Sequence, residues 1–187
     1  MRFQDIPQFT SSGSYQVNQM WDFLVEHVEE EIKRGLILSP DYQRGHVWTE
    51  DQQRAYVEYV LRGGRSGLDL WFNCPGWMRG YKGPYELVDG KQRLHAALKF
   101  LRNEMAIFPD EKNPQGYFHG DFTDKLRMMV SFIWHVNDLP KRSQVLQWYI
   151  EMNAGGTVHA PEEIERVKGL LLVTKARECG ATSKKRK

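Results

Sequence analysis

Apolar residues recur at Val17, Met20, Leu24, Val28 and Ile32 with spacings of three and four, which predicts one amphipathic helix over 16–34. Gly35 is suited to end it in a left-handed turn, and Leu36-Ile37-Leu38 then reads as a short strand closed by Ser39-Pro40. Thr49, with Gln52 three positions on, forms a capping box and opens a second helix that stops at Gly63-Gly64. Strands follow at 68–72 and 85–88, separated by a loop rich in Gly, Pro and Trp over 73–84. After a turn at Asp89-Gly90, Leu94, Ala97, Leu98 and Leu101 mark a third helix. Residues 109–121 read as loop and 123–129 as a short helix. Val130, Phe132, Trp134 and Val136 alternate as a half-buried strand should. Two more helices are expected at 140–152 and 161–175, the last with Pro161 in its first turn. The pattern is α/β (α+β): a small mixed sheet with several flanking helices.

The chain has 187 residues, of which 41% are hydrophobic and 27% charged, enough apolar surface to close one core. One domain is expected over 1–175, with a flexible basic tail over 176–187. The longest apolar run, Leu170-Leu171-Leu172-Val173, is far short of a membrane span, and the first residues lack the apolar core of a signal peptide. The expectation is a cytoplasmic protein with no membrane partner. Cys74 and Cys179 are too few for a disulfide scaffold or a four-cysteine zinc site. The formal charge of +2 belongs to the tail: without Lys184, Lys185, Arg186 and Lys187 the body carries −2. Those four cations could meet nucleic-acid phosphates, or serve only as a solvated end.

Candidate chemistry concentrates where the strand at 85–88 enters the third helix through Asp89-Gly90-Lys91-Gln92-Arg93. A helix N-terminus carries unpaired N–H groups and partial positive charge, so it receives anions. Gly90 would let a phosphate approach the backbone, and Lys91 and Arg93 would add cationic donors. Asp89 could hold Mg²⁺ or orient a water; equally, it could simply cap the helix. Two other segments share this polar character. Pro40-Asp41-Tyr42-Gln43-Arg44-Gly45 precedes Val47-Trp48, and Asn153-Ala154-Gly155-Gly156-Thr157 joins two helices.

Taken in order, these three segments resemble the amino-terminal domain of GmrSD-type modification-dependent restriction enzymes, of the ParB/sulfiredoxin superfamily. The resemblance rests on Pro40-Asp41-Tyr42-Gln43-Arg44 with Trp48, on Val88 to Leu94, and on Asn153 to Thr157 with Pro161-Glu162-Glu163-Ile164, and it covers roughly 15–170. It implies an NTP-binding, often NTP-hydrolysing domain that controls DNA cleavage. The family's aspartate–glycine–glutamine–glutamine–arginine motif maps onto Asp89, Gly90, Lys91, Gln92 and Arg93, with Lys91 replacing the usual glutamine. Gln43, Arg44 and Asn153 are the further nucleotide-binding candidates that the resemblance implies.

The implied cofactor is a nucleoside triphosphate with Mg²⁺, with Asp89 as both catalytic and metal-facing residue. Family members that cut DNA usually carry a His-Asn-His-type nuclease domain afterwards, and about 25 residues follow Pro161 here. A separately encoded nuclease or other defence-system protein is therefore the expected partner. Two alternatives stand beside this reading: a ParB-like DNA-binding or DNA-nicking protein, and a non-catalytic, phage-like accessory or regulator acting through a protein partner. The six histidines show no metal-like spacing.

Overall fold

A computed structural model describes residues 2–6, 14–43, 45, 47–80, 83–124, 126, 130–154 and 161–184. Five strands form one mixed sheet: β1 (Tyr15–Met20), β2 (Leu36–Ile37), β3 (Asp69–Asn73), β4 (Tyr85–Asp89) and β5 (Ser131–Asn137). Their order is β1-β5-β3-β4-β2. The β3–β5 and β2–β4 pairs are parallel, and β1–β5 and β3–β4 are antiparallel. The helices are α1 (Leu24–Lys33), α2 (Glu50–Leu61), α3 (Lys91–Leu101), α4 (Arg142–Ala154) and α5 (Pro161–Lys184). This is the α/β architecture that the sequence pattern leads one to expect.

Each sheet face has its own core. Leu70, Phe72, Leu87, Phe132, Trp134 and Val136 pack on one face with Leu24 and Val28 of α1, Val57 and Val60 of α2, and Leu94, Ala97 and Leu98 of α3. On the other face Val88 and Tyr42 pack with Val145, Leu146, Trp148 and Tyr149 of α4 and Val167 and Leu171 of α5. Burying either set withdraws apolar surface from water at about 25 cal/mol per Å², which is what holds the helices to the sheet.

The helix expected over 16–34 is instead a strand followed by a helix. Residues 15–20 run along β5, with Val17 opposite Trp134, and Trp21 N donates to Val130 O before α1 begins at Leu24. Tyr15-Gln16-Val17-Asn18 alternates apolar and polar side chains, a period of two that the wider three–four spacing conceals. The capping box at Thr49 and Gln52 is present: Gln52 N donates to Thr49 Oγ1 and Thr49 N to Gln52 Oε1.

Of the short helix expected over 123–129, residues 123 and 124 form a bend and 126 no regular element. Residues 125 and 127–129 lie outside the described residues. Helix α5 runs on to Lys184, well past the expected end at 175 and into the segment read as a tail. A contact favours this extension: the Glu178 carboxylate accepts from Ser143 N and Ser143 Oγ, tying α5 to the first turn of α4. Lys185, Arg186 and Lys187, and the side chain of Lys184, lie outside the described residues. Among the described residues no helix is long and apolar enough to cross a membrane.

Candidate functional site

Strand β4 hands over to α3 at a corner shaped by sterics. Gly90 has φ +101°, and a Cβ there would lie 2.3 Å from Leu70 Cδ2 and 3.4 Å from Asp69 O. Only glycine satisfies both the left-handed backbone and the close approach of β3. The missing side chain expected to admit a phosphate thus makes room first for fully buried Leu70. The β3–β4 ladder slips just before this corner. Phe72 faces Leu87, but Trp71 faces Asp89 where an unbroken ladder would bring Val88. Val88 is the extra residue of a β-bulge, a device that re-aims neighbouring side chains.

Asp89 Oδ2 accepts from Arg93 Nη2 at 2.8 Å, so the helical i, i+4 spacing joins the two charged residues of the motif directly. Gly90, not Asp89, occupies the N-cap position of α3. Arg93 Nε is buried and has no hydrogen-bond partner. Its side chain lies against Gly67, whose carbonyl accepts from Tyr56 Oη at 2.7 Å. Lys91 opens α3 half-buried, and desolvation holds its ammonium pKa below the ordinary lysine value.

Two glutamines fasten the 40–48 segment to this corner. Gln43 Nε2 donates to Leu87 O at 2.6 Å and Val88 O at 2.7 Å. Strand β2 pairs only with Tyr85 and Glu86, so the Gln43 amide takes over as donor where that neighbour ends. Gln92 reaches the other way, accepting from Val47 N and Trp48 N and donating to Gly45 O. Two arginines hold Asp41 and Tyr42. Arg142 pairs with buried Glu86 at 2.9 Å and with Asp41, and lies over the ring of fully buried Tyr42. Arg166 donates to Tyr42 O at 2.6 Å. Trp48 packs on the core and against Tyr56, with ring centroids 5.4 Å apart.

The structure therefore brings Gln43, Asp89, Gly90, Lys91, Gln92 and Arg93 together. Asn153 is at the end of α4, where its amide donates to Tyr149 O at 2.7 Å, a bond within its own helix. Arg44 and residues 155–160 lie outside the described residues.

The family model of the GmrSD restriction endonuclease, N-terminal domain, matches residues 25–166. This chain belongs to the GmrSD N-terminal-domain family. No curated relative and no solved structure matches it. Membership links the chain to modification-dependent restriction systems. The matched span holds both clasped segments of this GmrSD-type domain and ends at Arg166, while β1 precedes it.

Sequence reasoning passed over one cluster in the GmrSD-type domain. Asp69 Oδ1 lies 2.6 Å from His135 Nε2, and the His135 ring stacks on Trp71 at 3.9 Å with planes 14° apart. The phase of β5 was the available signal: Phe132, Trp134 and Val136 face one core, which turns His135 to the opposite face. Among the described residues no group of three or more His, Cys, Asp or Glu could hold a metal ion.

Proposed function

We propose that this domain binds a nucleoside triphosphate at the β4–α3 corner, hydrolyses it, and acts as the regulatory module of a modification-dependent restriction system, working with a DNA-cleaving partner. The observation that carries the reading is the pair of glutamine clasps, which close the 40–48 segment onto the N-terminus of α3. Three features support an anion there: the first N–H groups of an eleven-residue helix, the Lys91 ammonium, and the buried, unpartnered Nε of Arg93. Stabilising charge on transferred phosphates is most of what phosphoryl transfer asks of a protein.

The donor set bears on Mg²⁺. Asp89 is already paired with Arg93, and no ready metal cluster accompanies it among the described residues. The chain's own side chains do not make a closed metal site, but one carboxylate plus phosphate oxygens is an ordinary Mg²⁺ arrangement. In this reading Asp89 faces a metal that arrives with the triphosphate, where it would neutralise phosphate charge. Arg93 holds the phosphates, and Asp89 orients the attacking water.

The test is the Asp89→Asn variant beside Arg93→Ala, each assayed for equilibrium NTP binding without and with Mg²⁺ and for phosphate release with Mg²⁺. The reading expects Asp89→Asn to bind nucleotide as well as wild type or better without Mg²⁺, because it removes a negative charge from beside the phosphates, and to lose turnover with Mg²⁺. It expects Arg93→Ala to lose binding. Unchanged turnover in Asp89→Asn, in protein that hydrolyses NTP, would end the catalytic assignment.

A further inference from the structure

One row of residues crosses four strands of the sheet. Gln16 on β1 faces His135 on β5, His135 faces Trp71 on β3, and Trp71 faces Asp89 on β4. The bulge at Val88 is what puts Asp89 in this row. Adjacent strands lie about 4.8 Å apart, so His135 and Asp89 are separated by about 10 Å. Next to the row is a cleft of about 290 Å³, lined by Gln16, Trp71, His135, Asn137 and Trp148 among others. Its walls are flat and aromatic: Trp71 stacks on His135, and Trp148 meets the Trp71 ring edge-on at 6.1 Å and 87°. Asp69 fixes the His135 ring through Nε2. The volume is at the small end of ligand pockets, which start near about 300 Å³, and suits one ring system better than a whole nucleotide.

We infer that this cleft is the base subsite of the nucleotide site: it takes the flat heteroaromatic ring of a nucleobase against Trp71, His135 and Trp148, with the phosphates at Gly90 and Lys91 at the other end of the row. The inference rests on the proposed nucleotide function and adds where the base goes. Two strand spacings, about 10 Å, make a length that a ribose and its first phosphates bridge. Aromatic platforms hold bases by stacking, which is tolerant of base identity because every base has a π-face. The cleft accordingly discriminates weakly among nucleobases and strongly between a nucleotide and a bare polyphosphate. The ordinary alternative is that Asp69, His135 and Trp71 only pack beneath α4.

The experiment compares a nucleoside triphosphate panel with inorganic tripolyphosphate, each with Mg²⁺, on wild type and Trp71→Leu, by equilibrium dialysis. Melting curves check that the variant folds. The inference expects Trp71→Leu to weaken nucleotide binding by tenfold or more and to leave tripolyphosphate binding within about twofold of wild type. His135→Ala provides the same comparison should Trp71→Leu fail to fold, and a several-fold loss confined to the nucleotide is expected there too. If nucleotide and tripolyphosphate bind equally well and neither substitution separates them, the base subsite is wrong while the phosphate site stands. If neither ligand binds wild type, both the proposed function and the base subsite fall.

Discussion

Gln43 and Gln92 hold each other's segments: the Gln43 amide donates to the carbonyls of Leu87 and Val88 just before the corner, and Gln92 accepts from the backbone of Val47 and Trp48 just after Gln43. Both side chains bond to backbone, so these two motif residues join the 40–43 and 45–48 stretches to the corner, while Gln43 Oε1 stays buried without a hydrogen-bond partner. Replacing Gln43 by Leu strands two carbonyls where the sheet has no further strand. Each lost bond to a buried group costs about 1–3 kcal/mol, so Gln43→Leu is expected to lower unfolding free energy by about 2 kcal/mol or more. Gln92→Leu should cost less, since its bonds are longer and two of the three are exposed. Denaturant unfolding measures both, and hydrogen exchange at Val47 and Trp48 should quicken in Gln92→Leu alone.

Gly90→Ala should be among the most damaging single-methyl additions in the protein. The new Cβ would meet Leu70 Cδ2 at 2.3 Å while the backbone stays left-handed. Strain and overpacking each cost about 1–3 kcal/mol, so a loss of about 2–5 kcal/mol is expected. If Gly90→Ala melts like wild type, the close packing of β3 against the corner is wrong.

Glu86 makes a pH-dependent contribution of definite sign. Burial is the largest cause of its raised pKa, which the Arg142 guanidinium only partly opposes. The folded protein therefore binds this proton more tightly than the unfolded chain does, and stability from this group falls as pH rises from below 4.5 through the raised folded value. Glu86→Gln removes that dependence. The wild-type melting temperature, relative to Glu86→Gln measured in parallel, should improve on acidification through that window. A constant difference across it would show that Glu86 is not desolvated.

The two thiols should separate cleanly. Cys74 is buried, and burial pushes its pKa up to about 12, whereas Cys179 is exposed on α5. Since the thiolate is the reactive form, a thiol reagent at neutral pH should titrate one cysteine in the folded protein and two after denaturation. Rapid modification of both without denaturant would contradict the core described around β3.

Local signals carried much of the fold. Thr49 and Gln52 announced α2, the period of two announced β5, and Asp89-Gly90 announced the corner, because each depends on neighbours in sequence. The sequence pattern over 16–20 suits a helix as well as a strand because Val17 satisfies both periods, and only pairing with β5 decides between them. The roles of Gln43 and Gln92 were out of reach for a similar reason, since their partners lie about 44–47 residues away. Asp69 and His135, 66 residues apart, meet only because β3 and β5 are parallel neighbours. Nothing local marks Val88 as a bulge, yet that one residue decides what stands opposite Trp71.

The most direct test of the central claim is the thermal shift of wild-type protein with a panel of nucleoside triphosphates and Mg²⁺, repeated with Lys91→Gln. A ligand bound only by the folded state adds about 2.7 kcal/mol at a hundredfold excess over Kd. The account predicts a clear rise in melting temperature for at least one triphosphate, smaller in Lys91→Gln because one phosphate-facing charge is gone. No shift with any triphosphate at millimolar concentration would contradict a phosphate site at the β4–α3 corner.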